Sequence, residues 1–571
     1  MINPCLNCKK YFLAMVFSFS VFTLFAADRY SVATGNWNST STWSGTSGGA
    51  SGASVPVAGD NVFIERGYTI TVTVNAACSN LTFTGVGTSA TLTINSFCTL
   101  TVSAAVTLYK LSNSNVSCTL NGAGTLSCVS LNVGSAVNGP TGYNTTYTHT
   151  FTSSVAFLNI SGDLAVNSYY SFNTRFRNGI FDLTSGIATV AGSISTYNQN
   201  GNNTSTVSMS AGPQTGSLIL NGATPFYLSA TGTNTISLDG TSALVNYNRS
   251  GAQPVYATTY TNLTVSGSGN KSMQGNTTVE GILTLSSGTF TVGANTLTLH
   301  GPTIAGIPSN LVTSSASSLV FGGTSAGVLI PTSITALNSL SITNPNIVTL
   351  QTSPSIGGIF NPAGAGLSIG SNTLTLNGQI NCGTLVGGSA SNIIIGGSGS
   401  ASLSAVMLNN LTIDRAVALC GNVAIGGTLT LTSGAFSIGA NVLTLNGPPI
   451  AGTPANLTTT SSSSLVFGGT SAGVLLPSSA ANLNNLTVNN SSGITLGGNV
   501  TVAGTLTMTH GNITTGAFTL ILSSSSEGAL SHGSGTIIGR IRRAVNNPLS
   551  TNYLFPVGNA AYYTPAVMNF S

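Results

Sequence analysis

A block of sequence that returns almost unchanged after 146 residues constrains this chain more than any other feature. Gly293-Ala294-Asn295-Thr296-Leu297-Thr298-Leu299 recurs as Gly439-Ala440-Asn441-Val442-Leu443-Thr444-Leu445, and residues 318–329 recur without change at 464–475. Repetition on this scale marks a stacked, quasi-one-dimensional architecture rather than one globular core. A second ladder divides the period. Asn262-Leu263-Thr264-Val265, Asn338-Ser339-Leu340-Ser341-Ile342, Asn410-Leu411-Thr412-Ile413 and Asn485-Leu486-Thr487-Val488 place equivalent leucines at nearly even intervals. Ile369-Gly370-Ser371-Asn372-Thr373-Leu374-Thr375-Leu376 belongs to a more divergent copy between the two close ones. The period therefore holds two units of about 70–77 residues, each of three or four coils at about 20 residues a turn.

Within the units the pattern has period two. Tyr68-Thr69-Ile70-Thr71-Val72-Thr73-Val74 and Gly427-Thr428-Leu429-Thr430-Leu431-Thr432 alternate aliphatic residues with threonine, as strands with one buried and one wet face do. Gly, Asn and Ser-Gly pairs punctuate the runs. The fold class is all-β: a parallel β-solenoid of tandem repeats, with the start of a separate β module at the C-terminus. Tandem antiparallel sandwiches are the competing architecture.

Composition narrows the function. Only 4% of the 571 residues are charged, where soluble proteins usually have about 25%. Between residues 281 and 526 the charged residues are Asp414 and Arg415 alone. Solubility rests on hydroxyls and amides. The net charge of +4 has no basic stripe behind it, so nucleic acid is not an expected partner. Past the leader no run reaches the ~18 apolar residues of a spanning helix, so no transmembrane span is expected in the mature chain. Residues 1–27 read as a signal peptide: Lys9 and Lys10, an apolar stretch over 11–25, then Ala26-Ala27.

Six cysteines follow the leader: Cys78, Cys98, Cys118, Cys128, Cys382 and Cys420. The first three are evenly spaced, at an interval equal to the expected coil, which would stack them as a disulfide or thiol ladder. No pair has zinc or redox spacing, and neither a metal nor a cofactor is expected.

Catalytic candidates are sparse. A glycosidase needs two carboxyls about 5–10 Å apart, and the nine acidic residues are scattered. Asp60, in Gly59-Asp60-Asn61, reads as a turn-stabilising aspartate, and Glu65 with Arg66 as an exposed strand-end pair. His149, His300, His510 and His532 have no partner nearby in sequence. Asp163 and Asp182 bracket a mixed-charge, aromatic stretch in which Tyr169, Tyr170, Phe172, Arg175 and Arg177 form a possible glycan-contact surface. Packing of the aromatics in a loop-rich insertion is the plainer reading. Alternating threonines also raise ice binding, which would need them stacked on one flat face.

Three segments carry a resemblance. They are Gly35-Asn36-Trp37-Asn38-Ser39-Thr40-Ser41-Thr42-Trp43 with Val55-Pro56 and Gly59-Asp60-Asn61-Val62; Val245-Asn246-Tyr247-Asn248 through Gln253-Pro254-Val255-Tyr256 to Gly281-Ile282-Leu283-Thr284-Leu285; and Gly539-Arg540 with Tyr553-Leu554-Phe555-Pro556-Val557-Gly558. The chain resembles repetitive exported surface proteins of the Bacteroidetes type, and its first segment resembles the secreted β-helical domain named for eight glycines. The resemblance implies export by the type IX route to the outer surface of a Gram-negative cell or beyond it, and it carries over no catalytic residue. Such proteins end in a sorting domain, whereas Met568-Asn569-Phe570-Ser571 stops in a strand pattern, so a longer chain is expected.

The expected organisation is a leader (1–27), an N-terminal cap with the first coils (28–130), an irregular aromatic-containing β region (131–252), solenoid repeats (253–526) and the start of a C-terminal β module (527–571). The expected role is a structural or adhesive scaffold making weak, polyvalent contacts with polysaccharide, extracellular matrix or neighbouring cells, without catalysis. A catalytic or non-catalytic part of a carbohydrate-active protein is the alternative.

Overall fold

A strand with alternating apolar and hydroxyl residues buries its apolar side when coils are stacked so that equivalent strands pair. Most of the described chain folds in this way. The computed structural model describes residues 26–109, 114–134, 146–171, 175–209, 215–546 and 552–569. Nearly every element is a short strand hydrogen-bonded in parallel to the strand one coil away, which makes a three-sided parallel β-solenoid. Among the described residues the antiparallel strand pairs are Asp28–Ser31 with Trp43–Ser44 at the start, a hairpin of Leu164–Ser171 with Arg175–Leu183, and Asn552–Phe555 with Ala566–Asn569 near the end.

Each coil visits three faces in order. Asn61–Glu65, Thr69–Val72 and Ala76–Cys78 open the first, second and third faces. Leu100, Leu126, Leu158, Ala188, Leu218, Val245, Leu263 and Leu283 then follow one another in register on the third face. All are at most 2% exposed, and full burial of a leucine contributes about 1.5–3 kcal/mol. The second face stacks Phe151 on Phe181, ring centroids 6.1 Å apart. Outward residues are equally ordered: Thr69, Thr91, Thr119, Thr152, Asp182, Ser208 and Ser237 form one column.

Coil length changes along the chain. On the first face Leu131 is paired with Leu164, and Leu164 with Ile194. In the repeat region Leu263 is paired with Leu283, a step shorter by about a third. In the stretch expected to be irregular, the described strands stack in parallel in longer coils, with the antiparallel hairpin of Leu164–Ser171 and Arg175–Leu183 set among them. Strand Thr125–Val133 runs straight across the boundary expected at residue 131. The later boundary also differs: Leu530–His532 and Ile537–Arg543 still stack in parallel on the preceding coil, so the antiparallel module begins after Arg543, not at 527.

Corners bring carbonyls of successive coils close together, and buried donors meet them. Gly323 and Gly469 are equivalent corner residues with φ of 66° and 74°. A β-carbon at either would run into the carbonyl oxygen of the coil below, at His300 or Asn446. In each unit the segment just after the Asn-Leu-Thr-Val type of strand supplies a donor. Lys271 Nζ, buried, donates to the carbonyls of Arg249, Gly251 and Ser268 at 2.9, 3.0 and 2.9 Å. Asn344 and Asn490 donate to Ser325 and Ser471, both at 2.9 Å. Arg415 donates to the carbonyls of Ser398, Gly399 and Gly378. These cations are structural: each is a fork or ammonium inside a set of oxygens that would otherwise lack partners.

The repeat units are out of step with the coils. Asn262–Val265 lies on the third face, Ser339–Ile342 on the second, Asn410–Asp414 on the first and Asn485–Asn489 again on the third. After Asn262–Val265 the third face is revisited by Leu283–Leu285, Ala305–Gly306 and Leu329–Ile330 before the chain reaches Ser339 on the second face. One unit is therefore three and two-thirds coils, and the 146-residue period is seven and one-third. The same sequence packs on each side of the triangle. Ser317, Ser391 and Ser463, at equivalent positions on three faces, donate to the carbonyls of Gly293, Gly370 and Gly439 at 2.6, 2.5 and 2.6 Å.

Among the described residues no helix is long and apolar enough to cross a membrane.

Candidate functional site: a tyrosine stripe on the first face

The longer coils carry the exposed aromatics. On the first face Asn167 is in register with Tyr197, and Ser195 with Tyr227. Tyr169 stands two positions beyond Asn167 on its own strand, so Tyr169, Tyr197 and Tyr227 step diagonally across three successive coils. Diagonal neighbours of this kind lie about 7–8 Å apart. The rings of Tyr169 and Tyr197 approach to 5.2 Å with a tilt of 40°. Tyr197 is 47% and Tyr227 71% exposed, unusually open for aromatic side chains on a sheet. Partial burial, with Tyr197 beside it, pushes the Tyr169 hydroxyl above its ordinary pKa, so the phenol stays neutral.

A notch of about 170 Å³ adjoins the stripe, lined by Thr224, Pro225, Phe226, Pro254, Tyr256 and Gln274. Phe226 and Tyr256 rings lie 5.1 Å apart. Two buried tyrosines hold this wall. The Tyr247 and Tyr260 hydroxyls are 2.8 Å apart; Tyr247 accepts from the Tyr256 N–H, and Tyr260 donates to the Tyr256 carbonyl. Burial raises both phenols, so neither ionises in this role.

Of the residues that the sequence placed on a glycan-contact surface, Tyr169 belongs to the stripe. Tyr170 and Arg175 lie on the antiparallel hairpin, with Tyr170 opposite Phe176 and Arg175 opposite Ser171. Phe172 lies outside the described residues. Arg177 is a correction: it is 1% exposed, inside the coil, and cannot present a guanidinium to a surface ligand. Beside it His149 is also 1% exposed, and burial together with the Arg177 charge lowers its pKa to about 4. Asp163 and Asp182 stand apart. Asp163 accepts the Ser193 N–H at 2.7 Å at the edge of the first face, and Asp182 sits in the second-face column. Tyr197 and Tyr227 escaped the sequence reading. Their signal is the spacing from Tyr169 to Tyr197 to Tyr227, which is close to the step that pairs Leu164 with Ile194 in this part of the chain.

Other candidates resolve into structural roles. Asp60 is buried and accepts the backbone N–H groups of Ala27 and Val57, each at 3.1 Å, with Arg29 3.8 Å away. Glu65 accepts from Ser47 at 2.5 Å rather than pairing with Arg66. His300 does have a partner: its Nδ1 lies 2.7 Å from Glu280 Oε2, one coil below. Cys78, Cys98 and Cys118 do not form one ladder. Cys78 and Cys128 flank Val102 on the third face, Cys118 lies between Ala90 and Phe151 on the second, and Cys98 is in the turn before Thr99. All four thiols are free and buried, and burial pushes those of Cys78 and Cys128 up to about 12. The disulfide joins Cys382 to Cys420. Among the described residues no group of three or more His, Cys, Asp or Glu could hold a metal ion.

Fold and site together define a three-sided parallel β-solenoid with a sparsely charged, hydroxyl-rich surface that carries an aromatic stripe. Compared with family models, with curated proteins and with solved structures, the chain matches none.

Proposed function

We propose that this protein is an exported scaffold of the outer cell surface or the surrounding matrix, which adheres through many weak contacts to polysaccharide and neighbouring cells. The observation that carries the reading is the rotation of the repeat unit around the rod. Successive copies place equivalent Ser, Thr and Asn side chains on different faces, so each side of the repeat region carries a similar, sparsely charged hydrogen-bonding surface. Repeated weak sites on one rigid body gain by avidity without any single strong site. The leader-like sequence at residues 1–27 and the likeness to type IX cargo support the location. The scattering of the acidic residues supports a role without catalysis.

Binding of the full chain to a panel of insoluble polysaccharides and to whole bacterial cells tests the reading. Retention that weakens steeply when the repeat region is shortened is expected. A folded chain retained by no polymer and no cell would overturn it.

A further inference from the structure

We propose that Tyr169, Tyr197 and Tyr227 form a dedicated carbohydrate subsite for a neutral polysaccharide laid across the coils along the rod. This deepens the adhesive reading and rests on it, because it assigns one place on the solenoid where a sugar chain is gripped by rings rather than by hydroxyls alone.

Three observations converge. First, the exposed rings are spaced by the coil register. Ser195 with Tyr227 and Asn167 with Tyr197 fix the diagonal, so the rings meet a chain that advances from coil to coil. Aromatic faces offer large, rigid contact area at low entropic cost, and the apolar C–H face of a pyranose ring is a flat counterpart to them. Second, hydrogen-bonding groups lie between the rings. Asn167 and Ser195 are the register partners of Tyr197 and Tyr227, are partly exposed, and have no side-chain hydrogen bond to another described residue. They can serve sugar hydroxyls beside the stacked ring. Third, the described charges beside the stripe do not favour an acidic ligand. Arg177, the cation opposite Tyr169 in the hairpin, is buried. Asp163, exposed at the edge of the first face, accepts the Ser193 N–H and carries its negative charge there. An acidic polysaccharide would meet the Asp163 carboxylate with the Arg177 charge out of reach, whereas a neutral one meets no such repulsion.

The Phe226–Tyr256 pair flanks the stripe rather than extending it: Phe226 is the register partner of buried Ile194 and packs toward the core, on the opposite side of its strand from Tyr227. The Tyr247–Tyr260 hydroxyl pair positions the Tyr256 backbone. These two are positioning residues and touch no ligand.

The test is depletion of the full chain by insoluble neutral glucans, mannan and chitin, with alginate and pectate as acidic counterparts. The wild type is compared with Tyr197→Ala/Tyr227→Ala and with Tyr562→Ala, an exposed tyrosine of the C-terminal module. Circular dichroism confirms that each variant is folded. The expected result is retention on at least one neutral polymer, weakened about tenfold in the double variant, which corresponds to about 1.4 kcal/mol, and unchanged in Tyr562→Ala. Equal retention of the wild type and the folded double variant would overturn the stripe while leaving the adhesive reading standing. Preference for alginate or pectate would overturn the neutral assignment. Retention on none of the polymers would overturn the stripe, and retention on no cell either would overturn the adhesive reading with it.

Discussion

Asn295 and Asn441 make the same two hydrogen bonds on different sides of the solenoid. Asn295 Nδ2 donates to the carbonyls of Met273 and Val292 at 3.3 and 2.9 Å; Asn441 Nδ2 donates to those of Leu419 and Ile438, both at 3.0 Å. Asn372, in the divergent middle copy, repeats the pattern on the remaining face with Leu350 and Ile369. Each amide ties one coil to the coil before it.

These three asparagines are therefore equivalent in energy. Removing one donor leaves two carbonyls short of a partner and costs about 1–3 kcal/mol. Asn295→Ala, Asn372→Ala and Asn441→Ala are expected to lower the urea midpoint by similar amounts. A tenfold spread among the three unfolding constants would show that the faces are not interchangeable.

His149 makes stability sensitive to acid. Its pKa is about 4 in the folded chain, lowered first by burial and then by Arg177, whereas an unfolded histidine titrates near 6.5. Between these values the unfolded chain binds a proton that the folded chain does not. Stability therefore falls as pH drops from about 6.5 toward about 4, by on the order of 3 kcal/mol in total. Denaturant midpoints measured across this window should decline in the wild type and decline less in His149→Gln.

The Cys382–Cys420 bridge closes a sequence separation of 38 residues with its Cα atoms 6.3 Å apart, and it spans the coil that contains Ser402–Leu403. Chain-entropy arguments put the stabilisation from a loop of this length at about 3–4 kcal/mol. Cys382→Ser/Cys420→Ser is expected to melt earlier than the wild type by a corresponding amount. A reducing agent should lower the wild-type Tm and leave that of the double variant unchanged.

Because equivalent strands pack on any face, deletion of residues 281–426, one full 146-residue period, is expected to yield a folded solenoid. Glu280 would then run into Gly427-Thr428-Leu429, which matches the natural Gly281-Ile282-Leu283 in position and pattern. Seven and one-third coils at about 4.8 Å each should shorten the particle by about 35 Å in small-angle scattering. An unfolded or aggregated product would contradict the equivalence of the faces.

The parallel coil was legible because Thr69-Ile70-Thr71-Val72 and its many counterparts alternate cleanly, and alternation survives any change of coil length. What the residues concealed was the length itself. A uniform turn puts Cys78, Cys98 and Cys118 in one column, but the step that pairs Leu81 with Val106 is longer than the cysteine interval, and the cysteines fall on different parts of the coil. The same assumption hid Tyr197 and Tyr227, whose separation from Tyr169 is meaningful only against the longer coils that carry Leu164 to Ile194. A guanidinium among tyrosines looks like a surface in sequence, and Arg177 does not occupy one. Here it lies within the stack, opposite Tyr169 in the hairpin and Tyr147 in the coil below. Glu280 and His300 met because they stand one short coil apart, a separation at which linear inspection sees no neighbour.

The two-thirds of a turn left over in each unit couples the rod's reach to its heading. Duplication or loss of one unit would turn everything beyond it by one side of the triangle as well as displacing it. Three such events in the same direction would restore the original bearing. Lineages differing in copy number would thus aim their distal modules along three discrete compass points, with no substitution in any contact residue.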